Sequence, residues 1–286
     1  MICLTGDIHH RSLGTNDQRY LARGDSEVKI AARFTRLVQQ SGLKITYYVT
    51  GKTLVEEWDD FRAIASAAEV ELGGHTFAGL PQSGWMRFWY ALRGLTPPSH
   101  GSSHGPRWRQ RRDIRRAIDA IRARTGRQIV SWRSHGLVRD RHTYALLAEC
   151  GIRMISDEVS ATSLVPERTP EGLISHPMNV LMDHDHLLHA HRDAAFVAAA
   201  KARGYGADAF GCESYPIQQW GEIVREQVAK IHERGGLATV LMHPICQWLA
   251  DEFRTAAKLL GELARYETVW ACEIPEKYNT AGKPAG

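Results

Sequence analysis

The chain has 286 residues, 43% of them hydrophobic, with 36 Lys and Arg against 32 Asp and Glu for a formal net charge of +4. That apolar fraction suits a packed core and excludes a disordered chain, and so mild a charge gives no electrostatic case for a nucleic-acid partner. No apolar run approaches the ~18 residues that a membrane-spanning helix needs, and the N-terminus lacks the basic start of a secretion signal, so the expectation is a cytoplasmic protein.

Nothing in the chain reads as a linker, so one catalytic domain over 1–286 is expected, with an aromatic insertion at about 80–107. The five cysteines (Cys3, Cys150, Cys212, Cys246, Cys272) are scattered, odd in number and never in C-x-x-C spacing. That argues against a disulfide framework and against a cysteine zinc site. The 14 histidines are more informative, because many lie near expected strand ends or within 176–191.

Met1–Ile8 reads as a short apolar strand and Gly14–Arg23 as a polar loop. A helix follows from about Ser26 to Gln40, with Ile30, Phe34, Leu37 and Val38 at helical spacing and Ser41-Gly42 as its stop. Lys44–Thr50, rich in β-branched and aromatic residues, is a buried strand, and a helix runs from Gly51 to about Ala67. A third strand over 69–75 ends in Gly73-Gly74-His75-Thr76, where two glycines suit close passage of the backbone.

Residues 80–107 hold Trp85, Phe88, Trp89 and Tyr90, then Pro97-Pro98, His100 and His104. They suit either a cap over a pocket or a short helix packed on the body. Arg107–Arg124 carries a helical stripe of Ile114, Ala117, Ile118 and Ile121. Its arginines read as a solvated face, with an anionic partner as the alternative.

Strands are expected at 128–133, 152–156, 172–176, 180–182 and 237–242, with a last one near Val269. Helices are expected at about 139–150, 214–234 and around Phe253–Leu260. Strands alternating with helices point to an α/β fold, a mostly parallel sheet closed or nearly closed into a distorted (β/α) barrel.

Polar residues gather at the expected strand ends: Asp7 and His9, His75, Arg133 and His135, Asp157, and His243. In a barrel of parallel strands these ends share one face. Residues i and i+2 of an extended segment point to the same side, so Asp7 and His9 can face one centre. A carboxylate and two imidazoles with a position open for water make a catalytic Zn²⁺ site. Asp183-His184-Asp185-His186 suits a second metal site, a pocket lining or a solvated loop.

These segments resemble, in order and spacing, the polysaccharide deacetylases of the NodB-homology type (carbohydrate esterase family four). Thr5-Gly6-Asp7-Ile8-His9 stands at that family's Thr-Phe-Asp-Asp-Gly motif, and Lys44–Gly51 resembles its Ala-Thr-Phe-Phe-Val-x-Gly strand. Gly74–Gly79 stands at the second motif, His-Ser/Thr-x-x-x-His. Arg124-Thr125-Gly126 with Arg133-Ser134-His135-Gly136 stands at the third, Asp157 at the acidic fourth, and Leu241-Met242-His243 at Leu-x-His. The resemblance covers roughly residues 1–245.

It implies a NodB-like barrel that hydrolytically removes acetyl groups from an N-acetylated sugar of a bacterial surface polysaccharide, O-antigen-like or capsular, or of its precursor. A divalent metal, Zn²⁺ first, is the implied cofactor. Two family ligands are missing: the second aspartate of the first motif meets Ile8, and the second histidine of motif two meets Gly79.

The expected metal set is therefore Asp7, His9 and His75, with His10, His104, His135 and the His184–His186 cluster in reserve. In this reading Asp7 is also the base, Arg133 orients Asp7, His243 is the general acid held by Asp157, and His135 and Trp85 touch substrate. A metal-independent amidohydrolase on the same fold and a non-catalytic carbohydrate-binding protein are the alternatives.

Overall fold

The computed structural model describes residues 1–79, 88, 92, 106–204 and 207–278. Eight strands form one sheet: β1 (Ile2–Ile8), β2 (Ile45–Val49), β3 (Val70–Gly74), β4 (Ser131–Trp132), β5 (Met154–Ile155), β6 (Glu167–Arg168), β7 (Ile174–Ser175) and β8 (Ala238–Leu241). Their order is β6-β7-β5-β4-β3-β2-β1-β8, parallel throughout except for β6 against β7. The helices are α1 (Glu27–Gln40), α2 (Thr53–Glu56), α3 (Trp58–Ser66), α4 (Arg107–Thr125), α5 (Thr143–Glu149), α6 (Asp183–His186), α7 (Ala194–Ala202), α8 (Ile217–Glu233), α9 (Pro244–Asp251), α10 (Arg254–Leu263) and α11 (Ile274–Tyr278). This is the expected distorted (β/α) barrel. None of these helices is long and apolar enough to cross a membrane.

Every residue of β1 and β2 is buried, as a parallel strand covered on both faces requires. α1 starts where Ser26 accepts a hydrogen bond from the Lys29 amide, and it turns Val28, Ile30, Phe34 and Val38 onto the sheet. Each such side chain contributes about 1.5–3 kcal/mol of hydrophobic stabilisation. The basic helix α4 buries Gln110, Ile114, Ala117 and Ile121. On its outer side Arg107 and Arg111 both pair with Glu149 of α5.

Gly73 and Gly74 serve the barrel wall. A Cβ on Gly73 would lie 2.6 Å from the Tyr48 ring, and one on Gly74 would lie 2.3 Å from the Trp132 ring. The two glycines leave room for neighbouring aromatic side chains, which brings β3 close enough to β2 and β4 to pair.

Some expected elements differ. Val180–Met182 forms no strand and instead leads into α6. The last strand reduces to a single bridge between Thr268 and Ile2. α7 and α9 were not expected; α9 begins with Pro244 in its first turn, a position proline favours. The aromatic stretch 80–105 lies outside the described residues except Phe88 and Leu92, which are exposed.

No ladder joins β6 to β8 among the described residues. The buried Asn179 spans the gap instead. Its Nδ2 donates to Ser163 O (2.7 Å) and Leu237 O (2.8 Å), and its Oδ1 accepts from the Thr239 amide (2.9 Å).

Inside the barrel His176 is wholly buried, with Nε2 3.1 Å from Tyr48 Oη and Nδ1 3.4 Å from Thr239 Oγ1. Burial, and then the Arg133 charge, push its pKa from 6.5 down to about 3. Between those values the unfolded chain holds a proton that the folded chain refuses. The stability is therefore present above pH 6.5 and is lost as pH falls toward 3, by about 1.4 kcal/mol per pH unit. In His176→Gln, the fall in urea midpoint from pH 7 to pH 5 is expected to be smaller than in the wild type; an equal fall would remove His176 as its source.

Candidate active site

Because the strands run parallel, their carboxyl ends open on one face, and the chemistry lies there. β1 delivers Asp7 and, just beyond its end, His9; β3 delivers His75; β4 delivers Arg133 and His135; β8 delivers His243. A cleft of about 550 Å³ is lined by Asp7, His9, His75, His135, His184 and His243, together with Asp17, His191 and Arg192.

Arg133 is completely buried below this cleft. Its Nη1 donates to Asp7 Oδ1 (2.8 Å), its Nη2 to Thr5 Oγ1 (2.9 Å) and Ser156 Oγ (2.8 Å), and its Nε to Ser156 O (3.0 Å). The guanidinium also lies 4.4 Å from the centre of the Tyr48 ring. Burial opposes ionisation of Asp7, but the Arg133 charge outweighs it, with help from His75 and His243, and holds the carboxyl well below its usual range. The expected Arg133–Asp7 hydrogen bond is thus present.

Three imidazoles meet beside Asp7. The rings of His9, His75 and His135 stand edge to face with centroids 5.1–5.2 Å apart, and one donor atom from each lies within 4.8 Å of the others. His75 Nδ1 donates to the Arg133 carbonyl (2.8 Å), which leaves Nε2 as the free lone pair. His9 Nδ1 donates to Glu27 Oε1 (2.8 Å), the carboxylate–histidine pairing that orients metal ligands. Burial lowers His75 to about 3 and takes His135 far below the usual imidazole range, so both rings are in the neutral, metal-binding form. At His9 burial is outweighed by the Glu27 carboxylate, which raises its pKa and favours positive charge at that ring.

His135, expected as a substrate contact, packs against the two histidines of the expected metal set. Gly79 lies beside it. Its backbone is left-handed (φ +73°), and a Cβ there would lie 3.5 Å from His135 Cε1 and Nδ1. The imidazole from the end of β4 thus occupies the space beside the position where the family motif carries its second histidine. Asp7 Oδ2 stays 3.8 Å from His75 Nε2 and 3.6 Å from His243 Nε2. The donor set fits a divalent transition metal: three imidazoles, two of them neutral and two with their second nitrogen committed.

Asp157 does not hold His243. Its two oxygens accept from the amide (2.6 Å) and hydroxyl (2.9 Å) of Ser134, and burial lifts its pKa to about 6 against those bonds. The partner of His243 is Asp183, which accepts from both Nδ1 (2.7 Å) and the backbone amide (2.6 Å) and also from Gln247 Nε2 (2.9 Å). Burial opposes protonation of His243, but Asp183, and then Asp7, raise its pKa well above the usual value.

The remaining histidines divide by partner. His10 bonds Thr50 and stands apart from the cluster. His184 lies over the cleft with its ring 5.4 Å from that of His243, and His186 is tied to Asp208 and the Glu213 carbonyl. Trp85, His100 and His104 lie outside the described residues. Sequence reasoning missed Glu27 and Asp17, and it marked Asp183 only as part of the 183–186 cluster, without its pairing to His243. The only signal was their type and place: Glu27 and Asp183 open α1 and α6, where acidic residues are ordinary, and Asp17 sits in a short turn.

Comparison with known proteins bears on the fold and on part of the chain. The family model described as polysaccharide deacetylase matches residues 17–155, a span that includes His75, Arg133 and His135 but not Asp7, His9 or His243. A comparison with curated proteins gives no match.

Three solved structures share the fold. A Mycobacterium smegmatis protein named as a polysaccharide deacetylase is 18% identical, with 98% of this chain and 91% of that one covered and a TM-score of 0.67. A Pseudomonas aeruginosa PAO1 protein so named is 10% identical, with 98% and 92% covered and a TM-score of 0.63. PuuE allantoinase is 12% identical, with 97% and 90% covered and a TM-score of 0.63. Residues 17–155, just under half of the chain, thus match the polysaccharide deacetylase model, and the chain as a whole shares the fold of these structures.

Proposed function

We propose that this protein uses a divalent metal, Zn²⁺ first, to remove the acetyl group from an N-acetylated sugar of a bacterial surface polysaccharide or its precursor. The observation that carries this reading is the meeting of His9, His75 and His135 beside the Asp7–Arg133 pair and the His243–Asp183 pair. His9, His75 and His135 would hold the metal. A metal bound there supplies Lewis acidity, which acidifies water and stabilises negative charge on the amide oxygen.

The other residues supply proton handling. Asp7, kept ionised by Arg133, presents Oδ2 to the cleft as the acceptor for the proton of the attacking water. His243 carries a proton across the neutral range, and its Nε2 faces the cleft floor 3.6 Å from Asp7 Oδ2. It donates that proton to the departing amine, and amide cleavage needs such a donor because the bare amide anion is a very poor leaving group. Asp183 and Arg133 are positioning residues: one fixes the imidazole, the other the carboxylate. Glu27 holds the His9 ring and strengthens it as a ligand.

Purified protein is expected to hold Zn²⁺, with His9→Ala, His75→Ala and His135→Ala each losing it and losing more than about 100-fold in acetate release from N-acetylated oligosaccharides. Glu27→Gln should keep the fold and weaken metal affinity by about 10–100-fold. Acetate release without metal would favour the metal-independent amidohydrolase. Neither metal nor acetate release would favour a binding protein.

The proton donor has its own signature. Asp183→Asn removes the carboxylate that raises the pKa of His243, so the alkaline limb of the kcat–pH profile should move to lower pH. His243→Ala should cost about 10²–10⁴-fold in kcat. An alkaline limb that stays in place in Asp183→Asn would dismiss His243 as the acid.

A further inference from the structure

A second group of electron-rich side chains stands beside the same cleft, drawn from three distant parts of the chain. Asp17 comes from the turn Asp17–Tyr20, His189 from the tight turn after α6, and Cys246 from α9. One donor atom from each lies within 4.8 Å of the others, and the residues are 4%, 5% and 0% exposed.

The hydrogen bonds leave an imbalance here. His189 Nδ1 lies 2.8 Å from the Leu187 carbonyl, which can only accept, so Nδ1 carries the ring proton. In the neutral ring Nε2 is then a lone pair. It has no close hydrogen-bond partner and lies 3.4 Å from Asp17 Oδ1, a carboxylate oxygen that already accepts from His191 Nδ1 (2.7 Å), so the gap calls for a positive charge, either a proton on the ring or a cation. Asp17 Oδ2 has the Cys246 thiol at 3.9 Å. Lone pairs buried face to face are costly without a positive charge among them.

The neighbouring trio of Asp183, His243 and Cys246 shows no such deficit, because both oxygens of Asp183 are already occupied by N–H donors. Backbone strain accompanies the first group. Ala190, between His189 and His191, has φ +38°, while His189 and Arg192 exchange backbone hydrogen bonds across it. The turn thereby aims two imidazoles at Asp17.

We propose that Asp17, His189 and Cys246 bind a second divalent cation of the Zn²⁺ class, with a structural role. One carboxylate oxygen, one imidazole nitrogen and one thiolate sulfur make a mixed hard and soft set that suits Zn²⁺ and its Co²⁺ surrogate. Binding converts the Cys246 thiol to thiolate and releases its proton to solvent. The cation ties the Asp17 turn and the His189 turn to α9. It thereby fixes the wall of the cleft formed by Asn16, Asp17 and His191.

Sulfur separates this site from the three-histidine cluster. Metal-free protein is to be titrated with Co²⁺ and followed in the near ultraviolet, where thiolate-to-cobalt charge transfer absorbs. The wild type should take up two equivalents, one of them giving the thiolate band. His75→Ala should keep the band and bind one equivalent. Cys246→Ser should lose the band and still bind one, and Zn²⁺ should raise its Tm less than it raises that of the wild type.

Asp17→Asn, which keeps Cys246, should weaken or abolish the band and so guards against a folding defect in the serine variant. Absence of the band in the wild type, or its survival in Cys246→Ser, would overturn the proposal. Uptake of one equivalent that is abolished in His75→Ala would do so too, while leaving the deacetylase reading intact.

Discussion

The guanidinium of Arg133 is the group on which the rest of the site depends. It is wholly enclosed by the barrel, and its hydrogen bonds reach β1 through Thr5 and Asp7 and the end of β5 through Ser156. A charge placed so deep is tolerated only with a partner, and removing one member of such a pair typically costs about 3–5 kcal/mol. The pairing consumes Asp7 Oδ1 and leaves Oδ2 turned toward His75 and His243. One interaction thus sets both the ionisation of the carboxylate and the direction of its free oxygen.

A second layer of partners assigns each histidine its charge. His75 gives its Nδ1 proton to a neutral carbonyl and stays uncharged; His9 and His243 give theirs to carboxylates and are drawn toward the positive state. Burial alone would neutralise all of them. The charge that each imidazole carries is therefore set by Glu27, Asp183 and the Arg133 carbonyl, none of which lines the cleft.

The part of this arrangement that follows from strand periodicity was legible in the sequence. Asp7, His9, His75, Arg133 and His243 could be placed at strand ends by alternation of apolar and polar residues, and parallel strands bring such ends together. The carboxylates that support them were not legible, because Glu27 and Asp183 arrive from helix first turns, and pairing across the fold leaves no trace in local spacing. Asp157 was read as the partner of His243 from its place at the end of β5, yet the nearer Ser134 amide and hydroxyl claim it. His135 meets His75 because β3 and β4 are paired, and the turn beyond β4 that aims its ring is a backbone detail that spacing does not reveal. The glycines of β3 carry a similar lesson: their neighbours are the rings of Tyr48 and Trp132, and no ligand is needed to explain them.

The barrel is joined unevenly, and the seam falls beside His243. Asp7, His75 and Arg133 stand on or just beyond strands laced by continuous backbone ladders, whereas β8, which leads to His243, is laddered only to β1 and meets the rest of the wall through the amide of Asn179, one backbone bond from Leu237 to Leu164 and the His176–Thr239 contact. Separating that seam breaks one backbone hydrogen bond and a few side-chain ones, and no run of backbone pairing. The wall is thus least tightly joined along this one seam. Because β8 is laddered to β1, His243 stays in step with Asp7, and the dimension that parting of this seam alters is the reach from His243 to Asp183.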